Sequence, residues 1–104
     1  MLPYEMVFIV RPTIEEDALN ALVEKVSQSV RDLGGEIQQV DAWGRRRLAY
    51  PIQRHHDGFY FLMTMSLPST AVRSLERGLK LMEDVIRYLV VRKDETPKSP
   101  EPEK

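Results

Sequence analysis

The 104-residue sequence contains no cysteine, which excludes disulfides, thiolate metal sites and cysteine nucleophiles together. A reducing, cytosolic setting agrees with that absence. Long apolar runs are also missing: a stretch such as Met6–Val10 has only the length of a strand, so no membrane-spanning helix is expected. No basic segment followed by a long apolar one opens the chain, and no secretory leader is expected. Only two histidines occur, adjacent at His55 and His56. A zinc site needs three or four convergent ligands, so neither a metal nor another cofactor is expected. The single asparagine, Asn20, lies inside a predicted helix, which leaves a small acyl-phosphate hydrolase without its second gripping residue. Glycine-rich phosphate loops, dinucleotide fingerprints and a Gly-x-Ser-x-Gly elbow are missing as well. The sequence gives no support for catalysis or for a small-molecule substrate.

Of the residues present, 42% are apolar and 30% charged, the balance of a single globular domain. The net charge of −1 is unevenly spread. Residues 1–44 hold three Lys/Arg against eight Asp/Glu, whereas residues 45–93 hold ten against four. One basic segment on a nearly neutral protein can attract a polyanion locally. The last eleven residues, 94–104, carry three prolines among charges and no large apolar side chain. They are expected to form a disordered, solvated tail behind a domain spanning 1–93.

Tyr4–Val10 is rich in β-formers and apolar in both parities, as a central strand requires. Thr13-Ile14-Glu15-Glu16 resembles a capping box. Leu19, Leu22, Val23, Val26, Val30 and Leu33 then make one apolar helical stripe, stopped by Gly34-Gly35. Glu36–Ile52 reads as a strand with a bulge at Gly44, and Pro51 argues that it lies at a sheet edge or ends there. Gln53–Gly58 reads as a polar turn, and Phe59–Leu67 as the strand that returns from it. Ser69 caps a second predicted helix with Val72, Leu75, Leu79 and Met82 on its buried face. Val85–Val91 is the last strand. The order β-α-β-β-α-β predicts an α+β, ferredoxin-like split βαβ domain: a four-stranded antiparallel sheet with both helices on one face. The other face is left open, and its apolar residues suggest either a docking surface or ordinary strand residues partly shielded by loops and the long hairpin.

The most informative block is Gly44-Arg45-Arg46-Arg47-Leu48-Ala49-Tyr50-Pro51-Ile52. On a strand, Arg45 and Arg47 share one face and Arg46 takes the other. Three guanidinium forks suit phosphate oxygens and can stack on bases. Trp43 and Tyr50 bracket them as candidate stacking groups, with Tyr4 as a third. Arg87, Arg92 and Lys93 extend the positive charge from the last strand. Charge on an edge strand also guards against aggregation, so both readings of the arginines stand at this point. An RNA-recognition motif would place rings on the third strand, and Gly58, Phe59 and Phe61 match that pattern. Asp57, Tyr60 and Thr64 do not, and Phe59 and Phe61 fall in the parity expected to face the helices.

The Gly-x-Arg-x-Leu-Ala-Tyr-Pro-Ile block, Tyr4-Glu5, Gly58-Tyr60-Phe61 and Val90-Val91 together resemble the bacterial-type ribosomal protein S-six (S6) family of the small subunit. The resemblance spans residues 3–93. It implies a ferredoxin-like, non-enzymatic ribosomal protein that assembles with ribosomal protein S-eighteen (S18) onto the central domain of small-subunit rRNA. It implies too that the basic block serves RNA and partner, and that the open sheet or its edge receives the partner protein. The tail lacks a glutamate run of the kind some members carry for modification. The alternative class is a ferredoxin-like small-molecule-sensing or protein-interaction domain.

Overall fold

The structure, a computed structural model, describes residues 1–93. Within them the order is β1 (Leu2–Val10), α1 (Glu16–Asp32), β2 (Glu36–Ile52), β3 (His55–Leu67), a 3₁₀ turn (Ser69–Ala71), α2 (Val72–Leu81) and β4 (Val85–Arg92). The strands form one antiparallel sheet in the order β2-β3-β1-β4. This is the split βαβ arrangement expected. The tail expected at 94–104 lies outside the described residues.

Strand alternation sets the core. Tyr4, Met6, Phe8 and Val10 of β1 meet Phe61, Met63, Met65 and Leu67 of β3, and Leu22, Val26, Val30, Leu75 and Leu79 of the helices close over them. The parity argument for β3 therefore holds: its rings at Phe59 and Phe61 turn toward the helices. At the end of α1, Gly34 takes φ +88°. Its N–H bonds to the Arg31 carbonyl, and the Gly35 N–H to the Val30 carbonyl, at 3.0 and 2.9 Å. That pair of bonds is a Schellman cap, and it needs a residue tolerant of the left-handed region.

Three local expectations are corrected. The capping box does not form: α1 starts at Glu16, and the Thr13 hydroxyl accepts a hydrogen bond from the Arg11 guanidinium at 2.7 Å instead. Arg11 is itself held by an ion pair to Asp84 at 2.5 Å, which ties the end of β1 to the entry of β4. Ser69 is not a helix cap either, because it opens the 3₁₀ turn that precedes α2. Finally, the β2–β3 turn is shorter than expected. Ile52 pairs with His55, leaving Gln53 and Arg54 as a two-residue turn with φ +51° and +72°. His55, His56 and Asp57 thus belong to β3.

Two-residue hairpin turns with both central φ values positive favour Asn-Gly, and a side chain in that region costs about 1–2 kcal/mol. Arg54→Gly is expected to stabilise the domain by about 1 kcal/mol. Thermal unfolding reads this as a melting temperature higher by roughly 4–8 °C.

Candidate nucleic-acid and partner interface

The β2–β3 hairpin continues as an arm past Phe59, the last residue of β3 paired with β1, and β2 is an edge strand exposed along most of its second half. Two irregularities shape it. Gly44, at φ +83°, absorbs a register shift between Ala42 and Gly44, as the sequence suggested. Farther out, Arg47 pairs with Asp57 and Ile52 with His55, so residues 48–51 oppose the single residue His56. This bulge, which contains Pro51, carries Leu48 over the sheet face opposite the helices. There Leu48 packs with Ile9 and Ile86, joined by Ile52 and Tyr60, in a second small apolar cluster. Ile86 reaches it through a further bulge, since Ile9 pairs with Arg87 while Val10 pairs with Val85.

The open face is thus covered in part by the arm. Beside the cover lies a groove of about 310 Å³ whose lining includes Val7, Ile9, Leu48, Tyr60 and Leu89. Leu89, on the edge strand β4, is 59% exposed on this open face. Tyr50 and Arg87 close one side: the Arg87 guanidinium donates to the Tyr50 hydroxyl and lies 5.8 Å from the ring centroid.

Register separates the arginine block as the alternation of a strand requires. Arg45 pairs with Phe59 and Arg47 with Asp57, on the side of the helices, while Arg46 pairs with Gly58 on the open side. Arg45 Nε donates to the Asp57 carboxylate at 2.7 Å. Such a solvent-exposed ion pair contributes about 0–1 kcal/mol, so a phosphate can displace it. Arg47 has no ion-pair partner among the described residues. Arg46 lies 5.6 Å from the Trp43 ring centroid, and Trp43 in turn stacks on Tyr60 at 6.4 Å with planes 10° apart. The Arg46 Nε also donates to the Trp43 carbonyl at 3.3 Å.

Some candidates do not join this surface. Tyr4 is only 6% exposed and belongs to the main core, so its ring is unavailable for stacking or docking. Arg92 pairs across β1 with Tyr4, whereas the arginine block lies level with the Val10 end of that strand. At ~3.3 Å per residue, Arg92 and Lys93 stand roughly 20 Å from the block along the sheet. Arg87, Trp43 and Tyr50 do lie with it. Sequence reading missed Tyr60, Asp57 and Leu89. Tyr60 was legible in principle, because its parity in β3 is opposite to that of Phe59 and Phe61.

No group of three or more His, Asp or Glu is arranged to hold a metal ion among the described residues. His55 and His56 are consecutive on a strand, so their side chains diverge. No described helix is long and apolar enough to cross a membrane.

The family model for ribosomal protein S6 matches residues 3–92. The chain belongs to the ribosomal protein S6 family. Among its relatives, small ribosomal subunit protein bS6 of Moorella thermoacetica is 42% identical over 95 residues, 91% of this chain and 97% of that protein. The bS6 protein of Heliobacterium modesticaldum is 44% identical over 95 residues, covering 91% and 99%. In three dimensions the chain is similar to the crystal structure of 30S ribosomal protein S6 from Thermotoga maritima, with a TM-score of 0.86, 26% identity, and 90% and 89% of the two chains covered. This S6 protein is therefore a component of the bacterial small ribosomal subunit in the cytoplasm, with ribosomal RNA and other ribosomal proteins as its partners. Its family is structural rather than enzymatic.

Proposed function

We propose that the protein binds the central domain of small-subunit rRNA cooperatively with S18, the arginine arm serving the RNA and the open sheet face receiving S18. The observation that supports this reading is the arm itself. One strand presents Arg45 and Arg47 on one side, and on the other side bounds an apolar groove whose lining includes Tyr50, Tyr60 and Arg87. Arginines in a row suit repeated phosphate charges. An apolar centre with Tyr and Arg around it has the composition of a protein-binding hot spot. Cooperativity follows if S18 fixes the arm against the sheet, so that ordering it is not charged again to RNA binding.

The partner half of the proposal is tested without RNA. In analytical ultracentrifugation the protein and S18 are expected to form a 1:1 complex. Leu89→Asp, which sets a charge in the groove where Leu89 is already exposed, should weaken that complex at least tenfold and leave the melting temperature nearly unchanged. Undiminished association in the variant would take the groove out of the interface.

A further inference from the structure

We propose that Arg46 is a preorganised anchor for one RNA phosphate, held in place by Trp43 stacked on Tyr60. This rests on the rRNA-binding reading above and assigns to one side chain a contact that the reading leaves to the block as a whole.

The arginines on and beside the arm differ in what already occupies them. Arg45 spends its Nε on Asp57, and Arg87 donates to the Tyr50 hydroxyl. Arg46 is held differently. Its guanidinium lies against the Trp43 ring, its Nε is fixed on the Trp43 carbonyl, and no ion pair to it occurs among the described residues. The two terminal nitrogens, which form the fork that fits a phosphate in bidentate fashion, are engaged by neither contact. Trp43 is in turn backed by Tyr60 at 6.4 Å in near-parallel planes. The contacts run from Arg46 to Trp43 to Tyr60 as one column, and Tyr60 joins the second apolar cluster. A flexible arginine loses rotamer freedom when it binds; one already stacked loses less, so more of the contact energy remains as affinity.

Local charge selects the anion. Residues 45–57 contain Arg45, Arg46, Arg47 and Arg54 against Asp57 alone. That excess suits a polyanion with regularly repeated charge better than an isolated carboxylate. With Arg46 over its ring and Tyr60 stacked against it, the indole acts as a positioning group rather than as a platform for a base.

The test uses the complete protein with S18 and a central-domain rRNA fragment, titrated over a series of salt concentrations. Arg46→Ala should weaken RNA binding at least tenfold and make the log–log salt dependence shallower by about 0.7–0.9, one phosphate contact. Arg46→Lys keeps the charge and should keep the slope, yet lose most of the affinity with the fork. Trp43→Ala should lose affinity in the same way with the slope intact, and Trp43→Phe should restore much of it. That split identifies a positioning role, which general destabilisation would not reproduce. Unchanged RNA affinity in Trp43→Ala would overturn the column. A loss of S18 association in Arg46→Ala, with the salt slope preserved, would overturn the phosphate assignment and give Arg46 to the protein partner. If the wild-type protein and S18 together bind no RNA, the functional reading itself fails, and this contact fails with it.

Discussion

Phe8→Ala is expected to destabilise the domain by about 3–5 kcal/mol. Phe8 is fully buried at the centre of β1 and stacks on Phe61 of β3, with ring centroids 5.2 Å apart and planes 17° apart. Truncation removes the transfer energy of a whole ring and leaves a cavity between the sheet and both helices, where Met6, Met63 and Met65 are already packed. Domains of this size are stable by only about 5–15 kcal/mol. The variant should therefore melt roughly 12–40 °C lower, by the ~4–8 °C per kcal/mol that applies to a chain of this length. Denaturant and thermal unfolding measure it. Phe8 contributes nothing to the arm, so any defect of this variant in ribonucleoprotein assembly should vanish under conditions where it is fully folded. A loss below 1 kcal/mol would mean that the core can collapse around the gap.

The paired substitution Arg45→Ala and Arg47→Ala should give the opposite result. Both side chains are exposed on the arm, and the ion pair it removes, Arg45 to Asp57, is of the weak surface kind. The melting temperature should fall by no more than the ~1 kcal/mol such pairs contribute. Binding to rRNA in the presence of S18 should weaken by about 30- to 150-fold, taking roughly 1–1.5 kcal/mol for each of the two charge-assisted contacts. The salt dependence should become shallower by about 1.4–1.8 in log–log slope, since each phosphate contact contributes 0.7–0.9. Association with S18 alone should not change, because both residues lie on the helix side of β2. Equal RNA affinity and slope in the double variant would remove this side of the arm from RNA binding.

Much of this architecture was legible before any coordinates. The stripe from Leu19 to Leu33, the alternation in β1 and β3, and the bulge and edge signals of β2 (Gly44 and Pro51) each rest on a local rule that the tertiary structure leaves intact. The block Arg45–Arg47 was legible for the same reason, since pleat alone separates its faces. What was not legible depended on contacts made across the sequence. Asp57-Gly58 has the composition of a turn, yet Gly58 lies within β3 for a packing reason. A Cβ there would stand 2.5 Å from Ile9 Cγ2 and 3.0 Å from the Val10 carbonyl. The true turn, Gln53-Arg54, carries side chains that turn statistics disfavour.

Tyr4 illustrates the limit from the other direction. A tyrosine near a chain start reads equally well as a surface ring or a core ring, and only its pairing with Met65 and Arg92 assigns it to the core. Similarly, nothing in the local pattern links Trp43 to Tyr60 or Tyr50 to Arg87, because each pair is joined by the bulges that bend the arm. Thr13 failed as a cap because Arg11, fixed by Asp84 73 residues away, claims its hydroxyl.

The central claim is that RNA binding requires both partners and runs through phosphate charge. Its most direct test is a titration of a central-domain rRNA fragment at two salt concentrations, with and without S18. The account predicts tight binding only when S18 is present, weakening steeply at the higher salt. Equally tight binding by this protein alone, or binding that does not respond to salt, would contradict it.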